Sequence, residues 1–197
     1  MRELENIQQL AALPIDYMGF IFYAKSPRHV TQVLELDLPT HIRKVGVFVN
    51  ANTEVIKNAV VENKLNSVQL HGQESPAECA EIRMMGLEVF KAFGIDVGFD
   101  GGSLQAYLPH VDYFLFDTKS PEHGGTGRTF DWDVLKAYPY DKPYFLSGGL
   151  ALENIAQAAA INDPRLIGFD LNSKFEIAPG LKNIDTLTQA VKIIKDE

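Results

Sequence analysis

Short apolar runs alternate with amphipathic stretches along the chain, and that alternation is the tightest constraint on its fold. The runs Asp16–Phe22, Lys44–Val49, Ser67–Leu70, Glu88–Ala92, Asp112–Phe116, Tyr144–Leu146 and Leu166–Leu171 are rich in Val, Ile, Leu, Phe and Tyr. They read as strands covered on both faces. Between them lie helix-like segments, about Leu4–Ala12, Val30–Leu36, Thr53–Asn63, Pro76–Met85, Leu104–Leu108, Trp132–Ala137 and Leu152–Ala160. A last one, Ile184–Ile194, carries apolar residues at three- and four-residue steps, the stripe of an amphipathic helix. Alternating strand and helix predicts parallel βα units, because parallel neighbours need a crossover connection.

Two architectures satisfy this pattern, an open doubly wound sheet and a closed (β/α)8 barrel. No G-x-G-x-x-G follows the first strand, which weighs against a dinucleotide-binding open sheet. A barrel needs eight strands, whereas the sequence shows seven and opens on a helix. The expectation is therefore an α/β chain of the TIM (β/α)8 class whose first strand is missing. No linker or composition break divides it, so residues 1–197 read as one domain.

Composition narrows the partners. With 26 acidic and 18 basic side chains the formal charge is -8, which disfavours nucleic acid. No apolar run reaches the roughly 18–20 residues that span a bilayer. The N-terminal M-R-E-L-E-N-I-Q-Q-L lacks the basic start and apolar run of a signal peptide. A cytoplasmic protein without a membrane partner is expected. The single cysteine, Cys79, excludes an internal disulfide and a multi-cysteine metal site.

In such a barrel, function sits on the loops after the strands' C-terminal ends. After the first visible strand, F-Y-A-K-S-P-R places Arg28, whose planar fork suits a carboxylate or phosphate, although a lone Arg is commonly a solvated surface residue. V-Q-L-H-G puts Gln69 and His71 at a strand end, and a positioning role for His71 is favoured over proton transfer. Y-F-L-F-D-T ends a buried strand on Asp117. Such a carboxylate is partly desolvated and suited to donate a proton, or else simply caps the next turn. H-G-G-T-G-R can bring backbone N–H groups to an anion or form a lid. L-S-G-G-L supplies Gly148 and Gly149, and F-D-L-N-S-K-F-E supplies Asn172 and Ser173. Together they suggest a phosphate site at a Gly-rich turn and a short helix N-terminus, and hence a phosphorylated small molecule. Asn172 or Ser173 also fits a plain helix cap.

The order G-F-I-F-Y-A-K-S-P-R, V-G-V-F-V-N, V-Q-L-H-G, F-D-T, G-G-T-G-R-T-F-D-W, S-G-G-L and D-L-N-S resembles the phosphoribosylanthranilate isomerases of tryptophan biosynthesis, from Glu5 onward. The resemblance implies a (β/α)8 barrel that carries out an Amadori rearrangement of N-(5-phosphoribosyl)anthranilate with no metal and no organic cofactor. It implies Asp117 as general acid, Arg28 near the anthranilate carboxylate, and Gly148, Gly149, Asn172 and Ser173 around the phosphate. Asp170 would hold substrate hydroxyls, and His71 and Gly125 of the Gly-rich loop would line the substrate. Lys174 stands where the family carries a small residue.

The family opens with a strand ending in K-x-C-G, whose cysteine removes the C2 proton. This chain begins with what resembles the sequence after that motif. Cys79 sits mid-helix in P-A-E-C-A-E-I and reads as a packing residue. The strand count and the family comparison together suggest an internal start codon or a shortened chain. A barrel without one strand exposes backbone on its neighbours, so the chain is expected to be marginally stable, to associate as a homo-oligomer through the gap, or to rearrange over it. Two further readings compete. One is a non-catalytic protein that binds a phosphorylated ligand on the same barrel. The other, a sugar-phosphate epimerase, is weakest, because the five histidines do not fall at successive strand ends as a metal site there would need.

Overall fold

A computed structural model describes residues 1–32, 38–118 and 130–195. Seven strands form one parallel sheet in chain order: β1 (Tyr17–Ile21), β2 (Arg43–Phe48), β3 (Ser67–Leu70), β4 (Glu88–Ile95), β5 (Tyr113–Thr118), β6 (Tyr144–Leu146) and β7 (Leu166–Phe169). The curled sheet is that of a TIM-barrel α/β fold, and among the described residues β1 and β7 form its two edges. All seven expected strands are present. β4 runs three residues past its expected end because Gly94 and Ile95 still pair with Asp117 and Thr118 of β5.

Side chains alternate between two apolar environments, which is why the strand sequences read as unbroken apolar runs. Met18, Phe20, Phe48, Val68, Leu70, Phe114 and Phe116 are buried in the main core. The opposite parity points into the curl. There Tyr17, Phe90 and Phe145 meet edge to face, with centroids 5.2–5.6 Å apart. Such pairs add about 0.5–1.5 kcal/mol each beyond area burial. Continuing the same parity toward the strands' C-terminal ends brings Val47, Gln69, Asp117, Ser147 and Asp170 onto the concave face.

The helices are α1 (Leu4–Ala11), α2 (Thr53–Asn63), α3 (Pro76–Arg83), α4 (Ile155–Ala159) and α5 (Ile184–Lys195). Asn52 caps α2 by accepting from Glu54 N, and Ser75 with Glu78 forms a capping box on α3 behind Pro76. Four expected helices are altered. Gly101–Tyr107 and Trp132–Ala137 are 3-10 turns, each stopped by a proline two residues on, Pro109 and Pro139. α4 starts three residues late because Asn154 folds back, accepting from Ala151 N and donating to Gly149 O. At Val30–Leu36, residues 30–32 are not helical, since Val30 N donates to Ile21 O; residues 33–37 lie outside those described. Ile21 O lies on the outer edge of β1, where Gly19 O also accepts, from the Met1 amino group at 3.4 Å.

A feature the sequence reading missed is an antiparallel hairpin, β8 (Glu176–Ala178) and β9 (Leu181–Lys182), around Pro179–Gly180. Asn6 of α1 clamps it, accepting from Lys182 N at 2.7 Å and donating to Lys182 O at 2.8 Å. No helix among the described residues is long and apolar enough to cross a membrane.

Candidate active site

One cavity of about 880 Å³ runs along the concave face, lined by strand residues, by the loops at the strands' C-terminal ends, and by Leu10 of α1 and Leu187 and Ile194 of α5. It brings together Arg28, His71, Asp117, Gly148, Gly149, Asp170, Asn172 and Ser173, residues at or just after the C-terminal ends of five strands. Gly125 lies outside the described residues. Cys79 does not line the cavity. It is fully buried on α3, where burial pushes its thiol up to about 12, as a packing cysteine requires.

Gln69 and His71 are two residues apart and so face the same way. The Gln69 amide nitrogen lies 2.7 Å from His71 Nδ1, and His71 Nε2 lies 3.2 Å from Asp117 Oδ2. With the Gln69 amide assigned to donate to Nδ1, the matching tautomer carries the ring proton on Nε2, facing Asp117. The other Asp117 oxygen accepts from Thr118 N at 2.7 Å. The Asp117 side chain is 12% exposed, and its carboxyl is held at two points at the cavity wall.

Gly148 packs directly against that wall. Its φ is +84°, and an added Cβ would lie 2.6 Å from Asp117 Oδ1 and against Thr118 N and Oγ1. Only glycine fits this turn. Gly149 is also left-handed, with φ +66°. The following junction differs from the helix expected there. Ser173–Phe175 is a single 3-10 turn, and the Asn172 side chain does not cap it. Asn172 Oδ1 instead accepts from Lys182 Nζ at 2.9 Å. Lys174 is exposed on that turn.

Lys182 and Glu176, both from the hairpin, are site residues the sequence reading missed. The Pro179–Gly180 dipeptide was the available signal, since it folds Lys182 back toward the end of β7. Lys182 Nζ contacts Leu171 O, Asn172 Oδ1 and Glu176 Oε1. Burial lowers its proton affinity, opposed by Glu176 and Asp170. Glu176 accepts from Arg28 Nε at 2.8 Å and pairs with Nη2 at 2.7 Å. Burial alone would raise this carboxyl, but Arg28, Lys182 and Gly180 N together hold it below its usual range. Arg28 therefore reaches the cavity already bound to a carboxylate. Asp170 accepts from Ser147 Oγ at 3.2 Å, and burial raises its carboxyl, with Lys182 opposing and Asp117 adding to the rise. Among the described residues no cluster of three His, Cys, Asp or Glu side chains is placed to hold a metal ion.

Comparisons with known proteins identify the family. Residues 1–193 match the family model described as N-(5'-phosphoribosyl)anthranilate (PRA) isomerase. The N-(5'-phosphoribosyl)anthranilate isomerase of Parabacteroides distasonis is 43% identical over 199 residues, covering 98% of this chain and 90% of the relative. That of Phocaeicola vulgatus is 42% identical, covering 93% and 89%. Among solved structures, the Thermotoga maritima enzyme superposes with a TM-score of 0.81 at 33% identity, covering 99% of this chain and 95% of its own. A phosphoribosylanthranilate isomerase solved with reduced 1-(o-carboxyphenylamino)-1-deoxyribulose 5-phosphate gives 0.78 at 28% identity, covering 100% and 96%. The chain belongs to the N-(5'-phosphoribosyl)anthranilate isomerase family, the isomerases that carry out an Amadori rearrangement in tryptophan biosynthesis.

Proposed function

We propose that the cavity binds N-(5'-phosphoribosyl)anthranilate and that Asp117 opens its furanose ring. The Asp117 proton passes to the ring oxygen as the C1–O bond breaks, and the anthranilate nitrogen lone pair closes the Schiff base. His71 and Thr118 N hold the carboxyl in line for that transfer. Arg28 meets the anthranilate carboxylate. The backbone of Gly148 and Gly149, with Asn172, Ser173 and the nearby Lys182 ammonium, receives the phosphate, and Asp170 accepts from sugar hydroxyls. The observation that carries the reading is the His71–Asp117 contact packed against the left-handed Gly148 turn within a single cavity. The reaction then needs a base at C2, and no cysteine lines the cavity among the described residues. Turnover of this chain is accordingly expected to fall about 10²–10⁴ short of the same chain extended by a K-x-C-G strand. Equal rates for the two would refute the deficit.

With no cysteine among the described residues that line the cavity, a second reading is a protein that binds the phosphorylated ligand without turning it over. Calorimetric titration with reduced 1-(o-carboxyphenylamino)-1-deoxyribulose 5-phosphate, run beside the activity assay, separates the two. Binding without turnover selects the second. The sheet edges that β1 and β7 form among the described residues support self-association, and a monomer at every concentration in sedimentation equilibrium would dismiss that association.

A further inference from the structure

Away from the cavity, one ion pair is sealed behind β3 and β4. Lys91 of β4 and Glu74 of the β3–α3 loop have side chains only 2% exposed, with Nζ 3.2 Å from Oε2. Two charges so dry are a poor device for stability alone, since apolar side chains of similar volume serve as well or better. Their other bonds converge on the backbone of His71. Lys91 Nζ donates to Leu70 O at 3.2 Å and Gly72 O at 2.9 Å, the carbonyls on either side of His71, and to Ala92 O at 3.0 Å. Glu74 accepts from Gly72 N at 2.9 Å and from Asn50 N at 2.8 Å. His71 N donates to Phe48 O at 2.8 Å. Both peptide planes that bracket the His71 Cα are thus fixed, one by Lys91 and Phe48, the other by Glu74.

The neighbouring loop is locked by the same group. Gly72 packs so tightly on the β2–α2 loop that a Cβ there would lie 2.7 Å from Asn50 N and against Asn50 Oδ1. Tyr107 Oη donates to Glu74 O at 3.1 Å, tying down a third loop. With its backbone set, the His71 ring reaches both Gln69 and Asp117.

We propose that Lys91 and Glu74 are positioning residues, a buried charged pair whose task is to aim the His71 imidazole at Asp117. Its functional meaning rests on the reading that His71 and Asp117 serve the ligand. A misplacement of 1 Å in such a contact is enough to change rates or affinities substantially.

The test is the full chain carrying Lys91→Met with Glu74→Gln, because removing one charge alone strands the other in the interior. Histidine-selective 15N labelling reads the His71 ring nitrogens, and calorimetry reads the affinity for reduced 1-(o-carboxyphenylamino)-1-deoxyribulose 5-phosphate. The double variant is expected to fold, to lose the single Nε2–H tautomer signature of His71 while the other histidine signals stay in place, and to bind about 10-fold more weakly. Unchanged His71 ring signals, with affinity unchanged or Tm alone reduced, would overturn the proposal. Should the double variant not fold, Glu74→Asp keeps both charges but shortens the reach to Gly72 N and Asn50 N, and its His71 signals are judged by the same criterion. A His71→Ala control separates the two layers. If it leaves affinity intact, the reading of the site fails, while the ring nitrogens still decide whether the pair positions His71.

Discussion

The two sides of the cavity are built differently. On the β3–β6 side, Gln69, His71, Asp117 and Thr118 form a chain of hydrogen bonds carried on paired strands, and Gly148 packs against it. On the side of the β1 and β7 edges, Arg28, Glu176, Lys182 and Asp170 form a charged cluster on loops and a two-stranded hairpin. The first side takes its geometry from the paired strands, with Lys91 and Glu74 holding the backbone of His71 just past the end of β3. The second takes its geometry from the charges themselves. Substitutions on the first side should therefore alter chemistry more than folding, and those on the second should alter folding as much as binding.

The largest expected effect tests the first half of that statement. Asp117→Asn keeps the acceptor for Thr118 N but removes the transferable proton, so kcat should drop about 10²–10⁴ while the affinity for the reduced analogue stays close to that of the parent. The K-x-C-G-extended chain is the protein to assay. A variant that loses affinity in step with kcat would show that Asp117 binds rather than protonates.

Glu176→Ala tests the other half. The Glu176 side chain is 4% exposed and faces both Arg28 and Lys182, so its loss leaves two cations without their carboxylate. Urea unfolding should show a loss of about 3–5 kcal/mol, the usual result of breaking a buried pair from one end. A loss below about 1 kcal/mol, the range of exposed pairs, would mean that the cluster is solvated and that the contrast between the two sides is false.

The same contrast explains what the sequence made legible. The strands stood out because buried runs such as Tyr113–Phe116 have no polar alternation, and strand parity carries Leu115 inward and therefore Asp117 as well. His71 follows Gln69 by the same rule. Glu176 and Lys182 obey no such rule. Glu176 meets Arg28 across 148 residues of sequence, and Lys182 reaches Asn172 only because the chain reverses at Pro179–Gly180. Lys91 was hidden for another reason. A lysine inside a strand reads as a solvated residue, and the three carbonyls that receive its ammonium leave no trace in side-chain identity.

Gly148→Ala is expected to have an intermediate effect, and it crosses the boundary between the two sides. A methyl group at φ +84° is strained, and it would press on the Asp117 carboxyl and on Thr118. Stability should fall by about 1–3 kcal/mol, and affinity for the phosphorylated analogue should fall with it. Stability lost with affinity intact would place the phosphate elsewhere than against the Gly148–Gly149 turn.

The smallest expected effect is a pH dependence confined to the charged side. The Glu176 carboxyl is held below its ordinary 4.5 in the folded chain, by Arg28, Lys182 and Gly180 N against the opposing effect of burial. A carboxyl depressed on folding stabilises the protein fully above its unfolded value and loses that contribution as pH falls through the folded value. The difference in unfolding free energy between the parent and Glu176→Gln should therefore be full near pH 7 and contract below about pH 4.5 as the parent carboxyl takes up a proton. Urea titrations of both proteins at pH 7 and pH 3.5 measure it. A difference that stays constant between them would show that Glu176 contributes through packing and neutral hydrogen bonds, which would make the β1–β7 side of the cavity the same kind of structure as the β3–β6 side.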